Sequence, residues 1–210
     1  MTEKPHGRFV VIEGIDGAGT TTQAQLLVER LNREGRSAVF TGEPTDGPVG
    51  SLIRQMLHRR VVRPLAGERF AAIDPATLAL LFSADRLDHN AQLIAPAVEA
   101  GRVVVCDRYD YSTLAYQGVH VDLDWIIDAN RLARRPDLAI YLRVDPRAAL
   151  ARLGGRADLS IFEKADFLEK VTAIYDRLFA AETNAVTLDG SKPVDKIAAE
   201  IWRVVSGILE

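Results

Sequence analysis

Cysteine is almost absent from this sequence, since Cys106 is the only one among 210 residues. A single thiol cannot close an internal disulfide or complete a cysteine metal site, which excludes the disulfide-rich scaffolds and the cysteine zinc proteins. Cys106 follows three valines, so we expect it to be a buried strand residue. The low cysteine content is typical of a reducing compartment and predicts a cytoplasmic protein.

An excess of one charge and a long apolar run are also missing. The chain has 26 Lys+Arg against 29 Asp+Glu and a net charge of −3, so no global field favours nucleic acid or an anionic membrane. No apolar run approaches the ~20 residues of a membrane span, and residues 1–7 lack the apolar segment of a signal peptide. We therefore expect neither nucleic acid nor a membrane as a partner, whereas a local cluster could still bind small phosphates.

Predicted strands alternate with predicted helices along the chain. This alternation favours an α/β fold of three layers, in which a five-stranded parallel sheet carries helices on both faces. The length fits a single domain over residues 1–210. Residues 59–67 are expected to form an irregular basic loop and residues 122–134 an amphipathic helix. The predicted strands are 9–13, 37–41, 103–106, 138–144 and 185–188.

The first predicted strand runs directly into a glycine-rich turn that opens a helix. Glycine lets a backbone approach an anion closely, and the helix start directs unpaired N–H groups and a positive dipole end to the same point. The phosphate-loop pattern G-x-x-x-x-G-K-[ST] fits from Gly14 to Thr21 except that Thr20 replaces the lysine. A glycine-rich turn without a ligand is the alternative. The predicted loop consists of Gly14, Ile15, Asp16, Gly17, Ala18, Gly19, Thr20, Thr21 and Thr22.

Two oxygen-bearing residues stand where a phosphate-loop site can hold magnesium. Thr21 occupies the motif position whose hydroxyl binds the metal, and Asp107 ends a buried strand, as a carboxylate serving a magnesium-bound phosphate does. A turn-capping role is the alternative for Asp107. Arg108 offers a planar fork for phosphate, or else an ion pair with a neighbouring aspartate. Asp16 would face a second substrate or the metal.

Two further segments suit a nucleotide substrate. Phe82 and Arg86 lie four residues apart on one helical face and could supply a stacking ring and a hydrogen-bonding fork for a base. Packing in the core is the alternative for Phe82. An arginine-bearing interruption with two adjacent glycines separates two helices, and residues 152–162 are therefore predicted to form a lid.

With these residues in view, the chain resembles the thymidylate kinases, which phosphorylate dTMP with ATP in dTTP synthesis. The resemblance extends from Phe9 to about Phe179. It implies a P-loop kinase fold, ATP and dTMP as substrates, Mg²⁺ as cofactor and a homodimer. The motifs that carry it are residues 13–19, Glu43-Pro44, Leu81-Phe82-Ser83-Ala84-Asp85-Arg86, Asp107-Arg108-Tyr109 and Ser112-Thr113-Leu114-Ala115-Tyr116-Gln117-Gly118.

The resemblance also implies a role for individual residues. Phe82 would stack on thymine, Arg86 would donate to its ring carbonyl and Thr113 would lie at the base edge. Tyr116 would pack beside C2′ of the sugar, and Arg108 would hold the acceptor phosphate. The remaining implied contacts are those of Asp16 with the 3′-hydroxyl or the metal, and of the lid residues Arg152 and Arg156 with the transferring phosphoryl group.

The sequence departs from the family pattern at charged positions. Besides Thr20, Gly42 stands where an arginine commonly precedes the Glu-Pro pair, Ser160-Ile161 replaces an Asp-Arg pair, and Thr113 replaces an amide residue. Two alternatives stay open for this reason. One is a kinase of another deoxynucleotide or a nucleoside, and the other is a nucleotide-binding homologue with little or no catalysis. A P-loop NTPase of another kind would leave Phe82 and Arg86 without a purpose.

Overall fold

A five-stranded parallel sheet forms the centre of the structure, a computed structural model that describes residues 7–58, 63–65, 69–71, 73–153 and 161–209. Its strand order is β2-β5-β1-β6-β7, and a separate antiparallel pair is formed by β3 and β4. The predicted five-stranded parallel sheet is confirmed. The strands are β1 (Arg8–Glu13), β2 (Ala38–Gly42), β3 (Arg63–Leu65), β4 (Arg69–Ala71), β5 (Val103–Asp107), β6 (Leu138–Arg143) and β7 (Ala185–Asp189).

Helices pack around this sheet, as the three-layer prediction requires, and residues 90–94 form a π-helical turn that joins α3 to α4. Among the described helices, none combines the length and the apolarity that crossing a membrane requires. The helices are α1 (Thr20–Arg33), α2 (Pro48–Leu57), α3 (Pro75–His89), α4 (Ala95–Glu99), α5 (Asp110–Gln117), α6 (Leu123–Ala129), α7 (Pro146–Arg152), α8 (Ile161–Ala181) and α9 (Val194–Gly207).

The central position of β1 determines where the functional residues meet. β1 lies between β5 and β6, and all three are buried runs of apolar residues, as expected for strands covered on both faces. The register places Ile12 opposite Asp107, so the loop that follows β1 begins beside the residues that follow β5. The carboxyl ends of these neighbouring strands therefore form one crevice.

Several helix boundaries follow from residues that the sequence analysis identified. Asp74 caps α3 by accepting a hydrogen bond from the Thr77 N–H at 3.0 Å, and Asp145 caps α7 in the same way. A proline occupies the first position of both helices. Gly35 has a φ of 77° immediately after the cap residue of α1, which is the left-handed stop predicted there.

Some local predictions were wrong. The expected loop over 59–67 contains β3, whose three residues are too few to show an alternating pattern. The expected helix over 122–134 ends at Ala129, because the Asn130 side chain turns inward and bonds Ile126 O and Arg86. α5 was not predicted. Of the expected lid, residues 154–160, including Arg156, lie outside the described residues.

Candidate active site

The loop between β1 and α1 has the backbone of an anion cradle. Gly17 and Gly19 have φ values of 84° and 90°, and Gly19 occupies the cap position of α1. A Cβ at Gly17 would also lie 2.4 Å from the Ala149 carbonyl oxygen of α7, so a side chain there would clash. Both residues must be glycine for the loop to take this path, which leaves the N–H groups at the start of α1 open to an anion.

Thr20 occupies the motif position of the lysine and is the first residue of α1. It is only 5% exposed. Its methyl carbon lies on the inner side of the loop, 3.2 Å from where a Cβ on Gly14 would stand. Thr20 therefore fills space inside the loop and contributes no charge to it.

The two predicted metal ligands are in direct contact. The Thr21 hydroxyl donates a hydrogen bond to Oδ2 of Asp107. Oδ1 of the same carboxylate is buried, and no donor among the described residues bonds to it. Within the described residues, no group of three or more His, Cys, Asp or Glu side chains is placed to hold a metal ion. Hard oxygen donors with a spare carboxylate oxygen fit Mg²⁺, which takes few protein ligands and completes its shell with water and phosphate.

Arg108 and Asp16 form an ion pair in this crevice. Arg108 follows β5 and has a φ of 65°, which is unusual for a residue other than glycine. Its guanidinium lies 2.7 Å from the Asp16 carboxylate and 5.4 Å from the ring centre of Tyr116. The Tyr116 hydroxyl in turn accepts the Asp16 backbone N–H at 3.0 Å. Burial lowers the pKa of Arg108, but the nearby Tyr116 and Asp16 outweigh it and keep the pKa well above its usual value.

Arg86 is entirely buried and surrounded by protein acceptors. It lies 2.7 Å from Glu43 in an ion pair, donates to Thr113 Oγ1 at 2.9 Å and donates to Asn130 Oδ1. None of the described residues accepts a hydrogen bond from its Nε. The guanidinium carbon lies 5.0 Å from the Tyr109 ring centre. Arg86 is thus held by three protein acceptors, which leave its Nε unsatisfied.

Glu43 connects Arg86 to the end of β2. Its second oxygen is 3.1 Å from Nδ1 of His89, and Nε2 of the same ring is 2.7 Å from the Thr41 hydroxyl. Sequence reasoning gave no role to His89, although it lies three residues after Arg86 on the same helix. The peptide bond that follows Glu43 is cis.

The segment after Pro44 is held by two further residues without an assigned role. The Asp85 carboxylate accepts the backbone N–H and the hydroxyl of Thr45 at 2.8 and 2.6 Å. Arg54 of α2 donates to the Pro44 carbonyl at 2.8 Å. The sequence signal for a role of Asp85 is its position directly before Arg86, in the motif of residues 81–86.

Phe82 and Arg152 are further predicted residues that the structure describes. Phe82, one helical turn before Arg86, is half-buried and outside the buried core. Arg152, the last residue of α7, donates to the Gly17 carbonyl of the loop at 3.3 Å and to Gly190 O at 3.1 Å. Arg152 therefore contacts the backbone of the loop directly.

Comparison with known proteins identifies the family of this chain. The thymidylate kinase family model matches residues 12–201. The chain belongs to the thymidylate kinase family. It is 46% identical over 170 residues to a probable thymidylate kinase of Thermococcus gammatolerans, covering 78% of each chain. It is 45% identical over 201 residues to a probable thymidylate kinase of Pyrococcus abyssi, covering 95% of this chain and 96% of the relative. A thymidylate kinase of Synechococcus is 38% identical over 203 residues, covering 94% and 93%.

In this member of the thymidylate kinase family, the predicted residues gather in two groups at one edge of the sheet. The first group comprises the glycine-rich loop with Thr21, Asp107, Asp16 and Arg108, and Tyr116 joins it through Asp16. The second group comprises Arg86 and Thr113, which are hydrogen-bonded to each other, with Phe82 on the same helix as Arg86. Tyr109 lies between the two groups, because it directly follows Arg108 in the chain and its ring contacts Arg86.

Proposed function

We propose that the protein is a dTMP kinase, which transfers the γ-phosphoryl group of ATP to dTMP and so forms dTDP and ADP for dTTP synthesis. The observation that carries this proposal is the meeting of the phosphate loop with the Asp16–Arg108 ion pair at the carboxyl ends of β1 and β5. Membership of the thymidylate kinase family and relatives that bear this name support it.

The donor nucleotide would bind the loop. The N–H groups at the start of α1 would hold the ATP phosphates, and Thr21 and Asp107 would hold Mg²⁺, which neutralises phosphate charge when bound. Arg152 contacts the loop from α7 and would supply positive charge near the transferring group, together with the predicted lid residue Arg156. The reaction needs positioning and charge neutralisation rather than a nucleophile from the protein.

The acceptor would lie between the two residue groups. Phe82 would stack on thymine, while Arg86 would bond the base through its unpaired Nε beside Thr113. Arg108 would hold the acceptor phosphate, and the ring of Tyr116 would pack against deoxyribose. Asp16 would hold Arg108 in place and lie near the 3′-hydroxyl or the metal.

A coupled assay of ADP release tests the proposed activity. With Mg-ATP, we expect turnover that requires dTMP, with dTMP the best acceptor by kcat/KM in a panel of nucleoside monophosphates. A better acceptor in that panel would identify a kinase of another deoxynucleotide. Nucleotide binding by calorimetry without turnover would identify a non-catalytic homologue, which the buried, uncharged Thr20 would explain.

The proposed enzyme is a cytoplasmic homodimer, and one face of the described structure supports the dimer. Leu80 and Leu87 lie seven residues apart on one face of α3 and are 51% and 37% exposed, and α2, which packs against α3, exposes Leu52. Light scattering should give about twice the 23.1 kDa of one chain. Leu80→Asp should yield the monomer, whereas the exposed Leu132, which lies on neither helix, provides the control Leu132→Asp.

The single domain over residues 1–210 and the lid over 152–162 stay predictions from the sequence. Limited proteolysis tests both. A single domain should resist cleavage between strands of the sheet, and ATP with dTMP should reduce cleavage within 152–162.

A further inference from the structure

Glu13 is a buried carboxylate that takes no part in the proposed phosphoryl transfer. It is the last residue of β1, fully buried and directly before the phosphate loop. Oε1 accepts the Tyr109 backbone N–H at 2.7 Å. Oε2 accepts the hydroxyls of Ser112 and Tyr175 at 2.6 and 3.0 Å. Since burying a carboxylate is costly, a glutamate with every oxygen satisfied at this point indicates a specific requirement for it.

The Tyr109 N–H belongs to the peptide unit that follows the left-handed Arg108. A residue other than glycine is strained in this conformation, which persists only where neighbouring contacts enforce it. Both adjoining peptide units are tied to β1, because Arg108 N–H donates to Ile12 O at 2.9 Å and Tyr109 N–H donates to Glu13. The first bond is part of the sheet. In the second peptide unit, Glu13 accepts the N–H, while the Arg108 carbonyl receives only the weak thiol donor of Cys106, with Sγ at 3.0 Å.

We infer that Glu13 is a positioning residue that holds the turn at Arg108 and thereby directs its guanidinium toward Asp16 and the acceptor phosphate. This inference rests on the proposed function, in which Arg108 binds that phosphate. Without the carboxylate, Arg108 can return to the ordinary negative φ range, and its side chain leaves the crevice. Glu13 acts through Arg108 and touches no substrate.

Calorimetry with dTMP and with ADP tests this inference on the intact protein and needs no turnover. Glu13→Ala strands the Tyr109 N–H and should raise the Kd for dTMP at least about tenfold. Glu13→Gln keeps the shape and one acceptor oxygen but loses the charge, and should raise it about threefold. The Kd for ADP should change less than about twofold in both variants, because the loop backbone is held by its own glycines and by α1.

Two comparisons separate positioning from a general structural role. Tyr141 pairs with Glu13 in the β1–β6 register, and its ring stacks on that of Tyr175 with the ring centres 4.9 Å apart. Tyr141→Phe keeps this ring and is the matched control, with an unchanged Kd for dTMP. In an Arg108→Ala background, Glu13→Gln should weaken dTMP binding no further, because both changes act on the same contact. The inference would be overturned if Glu13→Ala or Glu13→Gln weakened the binding of dTMP and of ADP equally. It would also be overturned if the effects of Glu13→Gln and Arg108→Ala on the Kd for dTMP were additive in the double variant.

Hydrogen exchange of the Tyr109 amide, followed by NMR, tests the turn without any ligand. We expect exchange at least about tenfold faster in Glu13→Ala than in the unmodified protein, and a smaller increase in Glu13→Gln. Unchanged exchange would overturn the inference whichever substrate the enzyme uses. If the unmodified protein binds no dTMP, the proposed function fails, and this measurement still decides whether Glu13 holds the turn.

Discussion

Replacing Thr20 by lysine places a positive charge where the phosphate-loop pattern has one, and we expect kcat to rise. A unit charge about 4 Å from a phosphate oxygen contributes about 4 kcal/mol at an effective dielectric near 20. At about 1.4 kcal/mol per tenfold change, this corresponds to at most ~10³ in rate. Arg152 already contacts the loop, so part of that charge is present and we expect an increase of about 10 to 100-fold.

The measurement is steady-state kcat with Mg-ATP and dTMP for Thr20→Lys and for Thr20→Gln. Glutamine is a long, uncharged side chain at the same position, and it controls for the loss of the buried threonine methyl group beside Gly14. ADP binding and the Tm must be retained in both variants. A kcat that stays the same or falls in Thr20→Lys would refute the reasoning, because it would mean that the site has replaced the lysine charge completely. An equal rise in Thr20→Gln would show that charge is not the cause.

Three further predictions concern other residues of the site. Arg108→Ala should raise the KM for dTMP about 10 to 100-fold, and a normal KM would remove Arg108 from the acceptor site. Asp107→Asn should raise the Mg²⁺ concentration for half-maximal rate at least about tenfold with the KM for dTMP nearly unchanged, and an unchanged Mg²⁺ requirement would contradict the assigned ligand. Burial, reinforced by Asp110 and opposed by the Ser112 hydrogen bond and by Arg108, raises the pKa of Glu13 from 4.5 to about 7 in the folded state. The folded state then holds this proton more tightly than the unfolded state, so ionisation of Glu13 costs stability as the pH rises from about 4.5 through 7. As the pH rises from 5 to 8, the free energy of unfolding of Glu13→Gln should therefore increase relative to that of the unmodified protein by up to about 3 kcal/mol. Denaturant unfolding measures this difference, and parallel curves of unfolding free energy against pH would contradict the prediction.

The sequence predicted the parts of the site that lie within short, local motifs. The loop, Thr21 and the strand that ends at Asp107 are each signalled by spacing over a few residues, because the backbone path itself requires those residue types. Helical spacing suggested Phe82 and Arg86 on α3, whereas Thr113 and Tyr116 on α5 were named only through the resemblance. The parallel sheet could be predicted for a similar reason, because an uninterrupted apolar run indicates a strand that is covered on both faces.

The contacts that hold these residues in place could not be read from the sequence. Glu43 and Arg86 are far apart in the chain, and their ion pair exists because β2 and α3 meet at one edge of the sheet. The left-handed turn at Arg108 has no local signal, since arginine does not favour that conformation. α5 was missed because its eight residues are polar at one end and apolar at the other, without a sustained helical period.

The central place of β1 also has a consequence for folding. β1 pairs with β5 and β6, both from distant parts of the chain, and such non-local parallel pairings form late and slowly. β1 contains Glu13 and also Ile12, which pairs with Asp107, and the phosphate loop directly follows this strand. The nucleotide site is therefore assembled only when the central strands have paired, and we expect recovery of nucleotide binding during refolding to coincide with completion of the sheet.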